Sequence, residues 1–279
     1  MTAPATPQTP EAGLPVPYES PIPIRPATLG DAIASEWTKI RSVRATMWTL
    51  GVMVALMLTV GPGIALLLEV DRQSGMQSEP VLTLGLFGVL LGSICVITLG
   101  VLTIGSEYST GMIRTTLTAC PSRGRVLMAK AIVFASLAFA VTAVTAAVAA
   151  VAQTAILHGP GASAGEWTLA TVGVGLYLAA LGLLALGIGA IVRHSAGAIT
   201  IMIGVVLLPL VLALFMFADD LRGLQRFLID YSIPNQLAGL YGTTMTDSGP
   251  TGWEPVLLML GLAAVVLAGA VAVLNRRDV

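Results

Sequence analysis

Charge is scarce in this sequence of 279 residues: Lys and Arg number 14, Asp and Glu 15, and together they make up 10% of the chain. A soluble domain carries about 25%, so an ordinary water-exposed globule is excluded. Cysteine occurs twice, as Cys95 in an apolar run and Cys120 in a polar stretch, which gives neither a disulfide framework nor a pair of metal ligands. Histidine also occurs twice, as His158 and His194, at the ends of different apolar runs. A net charge of -1 offers no basic excess to attract nucleic acid. The phosphate-cradling pattern Gly-x-x-x-x-Gly-Lys-Ser/Thr is missing, so nucleotide hydrolysis is not expected in this chain.

Apolar residues are abundant, at 56% with a mean hydropathy of +0.88. Uncharged runs long enough to cross about 30 Å of hydrocarbon at about 1.5 Å per residue fall at 46–68, 81–104, 131–157, 167–192, 197–217 and 255–274. None contains Asp, Glu, Lys, Arg or His. A membrane β-barrel would instead show alternating segments of about ten residues. The expected fold is all-α: a polytopic bundle of six transmembrane helices spanning 46–279, with a preceding helix at 28–45 and a proline-rich tail at 1–27. Eight prolines and no cationic start make that tail a disordered segment rather than a signal peptide.

Cationic side chains stay on the cytoplasmic side during insertion. Alternate connections carry 11 Lys and Arg on one side and 3 on the other, where nine carboxylates lie. Both termini are therefore expected in the cytoplasm. With no ionisable group inside the spans, proton-coupled transport and intramembrane proteolysis lack the groups they need. His158 and His194 fall on opposite sides of the membrane and cannot share a metal. Neither a metal nor a cofactor is expected on this chain.

Two stretches on the basic side hold structure. In the first, Leu29, Ile33, Trp37, Ile40 and Val43 recur at helical spacing, with Glu36, Lys39, Arg41 and Arg44 on the other faces. Such a helix lies in the membrane interface, as a functional element or as a plain anchor for the first span. In the second, between the second and third spans, Tyr108, Met112, Ile113 and Leu117 can line one side of a short helix that Pro121 ends. Glu107 is the one acid of a stretch that also carries Arg114. On the opposite side, Leu221, Leu224, Leu228 and Tyr231 fit one helical face, and beyond a break at Pro234 come Leu237, Leu240 and Tyr241. Two short helices, interfacial or re-entrant, are expected there as a lid or a partner-facing surface. Gly85, Gly88 and Gly92 permit close helix approach, and Pro62 and Pro209 should bend the first and fifth spans, as hinges or only as shape.

Ser35-Glu36-Trp37-Thr38-Lys39-Ile40-Arg41-Ser42, together with Ser106-Glu107-Tyr108 followed by Gly111, Arg114, Thr115, Leu117, Pro121, Arg123 and Lys130, resembles the ABC-2-type permease subunits of bacterial ABC transporters, those of actinobacteria above all. The resemblance implies a plasma-membrane permease that pairs with a second permease, identical or different, and with cytoplasmic ATPase subunits that hold ATP and Mg. It makes the first helix a connecting helix and the loop after span two a coupling helix, with Glu107, Gly111 and Arg114 at the ATPase contact. The uncharged spans suggest an apolar or amphiphilic substrate, and the expected direction of transport is export. A membrane scaffold or sensory partner of a cytoplasmic complex is the alternative reading.

Overall fold

The computed structural model describes residues 27–72, 81–157 and 162–276. The proline-rich stretch at 1–26 and His158 lie outside them. Among the described residues the chain is helical, with no strand. Six helices are long and apolar enough to cross a bilayer: Arg44–Glu69, Val81–Ser109, Arg123–Leu157, Ala164–Val192, Ser195–Leu214 and Glu254–Arg276. Each contains or overlaps one of the six expected runs, but the ends differ. Backbone hydrogen bonding continues past the apolar residues wherever no breaker intervenes, so the second helix passes Ile104 to Ser109 and the third begins at Arg123, well before Ala131. The fifth stops at Leu214, short of Phe217.

In chain order the elements are α1 (Leu29–Ser42), α2 (Arg44–Arg72), α3 (Gly85–Ser109), α4 (Met112–Ala119), α5 (Arg123–Leu157), α6 (Ala164–Thr168), α7 (Val174–Val192), α8 (Ser195–Leu214), α9 (Arg222–Asp230), α10 (Ile233–Leu240) and α11 (Glu254–Arg276). A π-helical turn, Leu169–Gly173, joins α6 to α7 within a single span.

The hub is α7, which packs on α3, α5 and α11 and buries Tyr177, Leu178, Leu181 and Leu186 completely. In lipid the hydrophobic effect gives helices little reason to associate, so close backbone approach decides the packing. On α7, Gly182 abuts Phe134 and Val96, and Gly187 abuts Val266. The glycines expected to pack do meet neighbours: Gly88 and Gly92 lie against Met57 of α2, and Gly85 against Tyr241. An even tighter approach, not foreseen from sequence, sets Gly100 of α3 against the carbonyl of Gly182. Pro62 and Pro209 sit inside α2 and α8, which continue through them as helices. By contrast with α7, α8 and α11 leave most of their surface uncovered, with Leu207, Leu208, Leu257 and Val265 exposed.

Candidate functional site

At the end of the bundle that carries α1 and α4, four charged side chains from three helices close a ring. Thr28 starts α1 with a reciprocal cap, accepting from the Asp31 amide while Asp31 accepts from the Thr28 amide. One turn on, Ile33, Glu36 and Ile40 turn inward against α5. Lys39 Nζ lies 2.8 Å from Glu36 Oε1 and 2.8 Å from Glu107 Oε1 on the last turns of α3. Lys130 Nζ, on α5, lies 2.7 Å from Glu36 Oε2 and 2.6 Å from Glu107 Oε1. Lys39 also donates to Thr116 Oγ1 at 3.2 Å, which ties in α4. Two cations and two anions leave the ring without net charge, as burial demands. The Lys130 side chain is 1% exposed, while that of Lys39 keeps 27%.

Burial pulls the Lys39 ammonium down, but hydrogen bonds to Glu107 and Glu36 more than offset it and hold its pKa above the ordinary lysine value. The stability it contributes is therefore fully present below about pH 10.4 and fades as pH rises through the higher folded value. Trp37 on the same helix reports the change: its fluorescence is expected to shift in that alkaline window. The Lys39→Met variant should lack this step, and an unchanged profile would assign the step to another group.

The same end is knitted by further contacts. Arg125 donates to the Ala27 carbonyl at 2.6 Å, and Arg123 donates to the Leu274 carbonyl of α11. The Arg193 guanidinium lies 5.6 Å from the centre of the Tyr108 ring. His194, at the end of the fourth apolar run, caps α8 by accepting from the Gly197 amide at 3.1 Å.

The structure redistributes the residues singled out from sequence. Glu107, which the resemblance assigns to the ATPase contact, is 4% exposed and turned into the ring. Tyr108 belongs to α3 and not to the short helix, which begins after Gly111 at φ 73, a left-handed turn that favours glycine. Met112 is exposed while Ile113 is buried and Leu117 half-buried, because neighbouring positions sit about 100° apart on a helix. Arg114 is exposed on the outer face of α4. The apolar stripe of α1 also divides. Pairing Glu36 with Lys130 turns the helix so that Ile33 and Ile40 face inward, leaving Leu29, Trp37 and Val43 exposed with Arg41 and Arg44. Arg41 stacks 6.0 Å from the Trp37 ring. Sequence reasoning passed over Lys39, Lys130 and Thr116 as site residues. Its one usable signal was a lone Glu107 in a basic stretch.

At the opposite end α9 is a surface helix, with Leu221, Leu224 and Tyr231 exposed and Leu228 half-buried. The Phe227 and Tyr231 rings meet at a tilt of 39° with their centres 4.8 Å apart. The two helices part at Tyr231 and Ser232, just ahead of Pro234, which lies in the first turn of α10 behind the cap Ser232. Helix α10 is buried among the spans, Leu237 completely. Asp230 holds the following loop by accepting from Thr246 and, at 2.8 Å, from Ser248. Asn235 donates to the Asp230 carbonyl and accepts from the Met245 amide at 2.7 Å. Among the described residues no group of His, Cys, Asp or Glu is arranged to hold a metal ion.

A family profile described as "ABC-2 family transporter protein" matches residues 32–220, well over half of the chain, from α1 to the loop before α9. No curated protein matches it.

Proposed function

The chain belongs to the ABC-2 family of transporter proteins, as the membrane subunit of a transporter, and we propose that it is the permease of an exporter driven by a separate cytoplasmic ATPase. In this reading both termini and the ring lie on the cytoplasmic side of a bacterial plasma membrane, where the excess of Lys and Arg supports them. A second permease chain completes the pore, and ATP with Mg binds the ATPase. The cargo is apolar or amphiphilic, since none of the six long apolar runs at 46–68, 81–104, 131–157, 167–192, 197–217 and 255–274 carries a charge to match a charged solute.

The observation that carries this reading is the ring itself. The exposed face of α4, with Arg114, Thr115 and Thr118, is open to a partner, while Thr116 holds Lys39. A push on α4 therefore reaches α1 through Lys39, and α3 and α5 through Glu107 and Lys130. Ion pairs removed from water resist being pulled apart, because each separated charge would be left unsolvated. Movement of the ATPase would thus rock two spans together instead of only bending a loop, as alternating access requires.

Co-purification with an ATPase subunit from the same cell tests the contact. Arg114→Glu, which reverses a charge on the outer face and leaves the ring alone, is expected to weaken ATPase capture about tenfold or more. Equal capture by this variant would remove α4 from the contact. Vectorial transport by the chain alone, driven by an ion gradient, would remove the ATPase from the mechanism.

A further inference from the structure

A groove of about 470 Å³ opens beside the ring, between the α1–α2 junction and the ends of α3 and α4. That volume is within the range of small-molecule sites, about 300–1,000 Å³. Val43, Ala45 and Thr46 line one side, and Leu99, Leu102 and Thr103 the other. Leu99 lies two turns deeper along α3 than Ser106, so the groove reaches about 10 Å from its polar end into the apolar part of the bundle. Trp48, exposed on α2 one turn past Arg44, places that polar end at the level of the membrane interface.

The groups left unanswered at the polar end are donors. Val43 is extended, with φ −83 and ψ 112, so α2 starts afresh at Arg44, and its Met47 amide bonds the Val43 carbonyl at 3.4 Å. The amides of Arg44, Ala45 and Thr46 have no turn of α2 behind them, and they carry the positive end of its dipole. Along the groove, the hydroxyls of Ser42, Thr103, Ser106 and Thr110 donate to carbonyls three or four residues back. The Thr46 hydroxyl has no acceptor among the described residues, and Arg44, which is exposed, pairs with no carboxylate there. The nearby acids are sealed: the Glu36 and Glu107 side chains are 5% and 6% exposed and hold the ring lysines. Such a mouth attracts an anion, and the apolar wall behind it suits a hydrocarbon chain. A peptide segment entering to that depth would leave backbone groups unpaired against Leu99 and Leu102. We propose that the groove binds an anionic membrane phospholipid, with its phosphate at the start of α2 on Arg44 and Thr46 and its chain along Leu99 and Leu102. The site is that of a resident lipid and requires only that the bundle sits in a membrane.

Native mass spectrometry of the full chain in detergent, titrated with lysophosphatidylglycerol or lysophosphatidylcholine of one chain length, tests this without an ATPase. Both probes carry a phosphate, but only the first has a net negative charge. The glycerol lipid is expected to bind about tenfold more tightly, as hydrogen bonds to an uncompensated charge would give. Arg44→Gln and Thr46→Val are each expected to cut that preference to about threefold or less, while Arg114→Gln, on the outer face of α4, leaves it intact. Leu102→Trp, which fills the groove, is expected to weaken both lipids. Equal binding of the two lipids to the unaltered chain overturns the proposal, as does an unchanged preference in folded Arg44→Gln and Thr46→Val variants. An equal fall with Arg114→Gln overturns it too, because the attraction would then be to surface charge at large. Glycerol phosphate competing as strongly as the lipid would leave the chain no part in binding, and lipid shed on dimer formation would give the groove to a second copy; either result overturns it.

Discussion

Replacing Lys130 with alanine is expected to destabilise the folded bundle by about 3–5 kcal/mol, the usual cost of stripping one partner from a buried ion pair. Lys130 Nζ is the second cation for both Glu36 and Glu107. Without it, two nearly buried carboxylates share Lys39 alone, and the ring carries a net negative charge in a place water barely reaches. Denaturant unfolding of the purified protein in detergent measures the loss. The double variant Lys130→Met with Glu107→Gln removes one charge of each sign at similar volume, and most of the stability should return. A loss under about 1 kcal/mol in Lys130→Ala would mean that the pair is solvated and worth no more than a surface bridge. The mechanical role proposed for the ring would then fall with it.

Gly100→Val is the second large effect. A β-carbon at Gly100 would overlap the Gly182 carbonyl oxygen, which is backbone and cannot rotate away, so α3 and α7 must separate along their whole contact. Overpacking penalties usually run about 1–3 kcal/mol, and a clash with backbone at the hub should reach the top of that range or exceed it. Gly204→Ala and Gly261→Ala are the controls, since nothing lies within 4 Å of a β-carbon at either position. They are expected to leave stability unchanged or raise it by up to about 1 kcal/mol, because alanine loses less backbone freedom in a helix than glycine does. Thermal unfolding in one detergent ranks the three variants. A Gly100 variant as stable as the controls would contradict the close packing of α3 on α7.

The glycine case shows where reading a sequence succeeds and where it stops. Gly88 and Gly92 attract notice because they stand one turn apart in one span, and both do meet Met57. Gly100 and Gly182 stand on different helices, so their pairing depends on how α3 and α7 are set against each other. The outer segment behaves in the same way. Periodicity marks out two short helices near Leu224 and Leu237, but whether each lies on the surface or enters the bundle depends on the neighbouring helices. Polar pairing at Asp230 and Asn235 accompanies the buried α10, while α9 remains outside.

Six crossings and a basic end follow from the amino-acid sequence alone, because transfer of a helix into hydrocarbon is a sum over about 20 consecutive residues and needs no knowledge of neighbours. The absence of charge from those runs is likewise a local fact. The fate of the charges just outside them was decided only by the tertiary structure. Glu36, Lys39, Glu107 and Lys130 come from three helices far apart in the chain, and each alone reads as a solvated helix end. Packing α1 across α5 removes Glu36, Glu107 and Lys130 from water together and leaves Lys39 at the edge, and a buried charge is stable only opposite its partner.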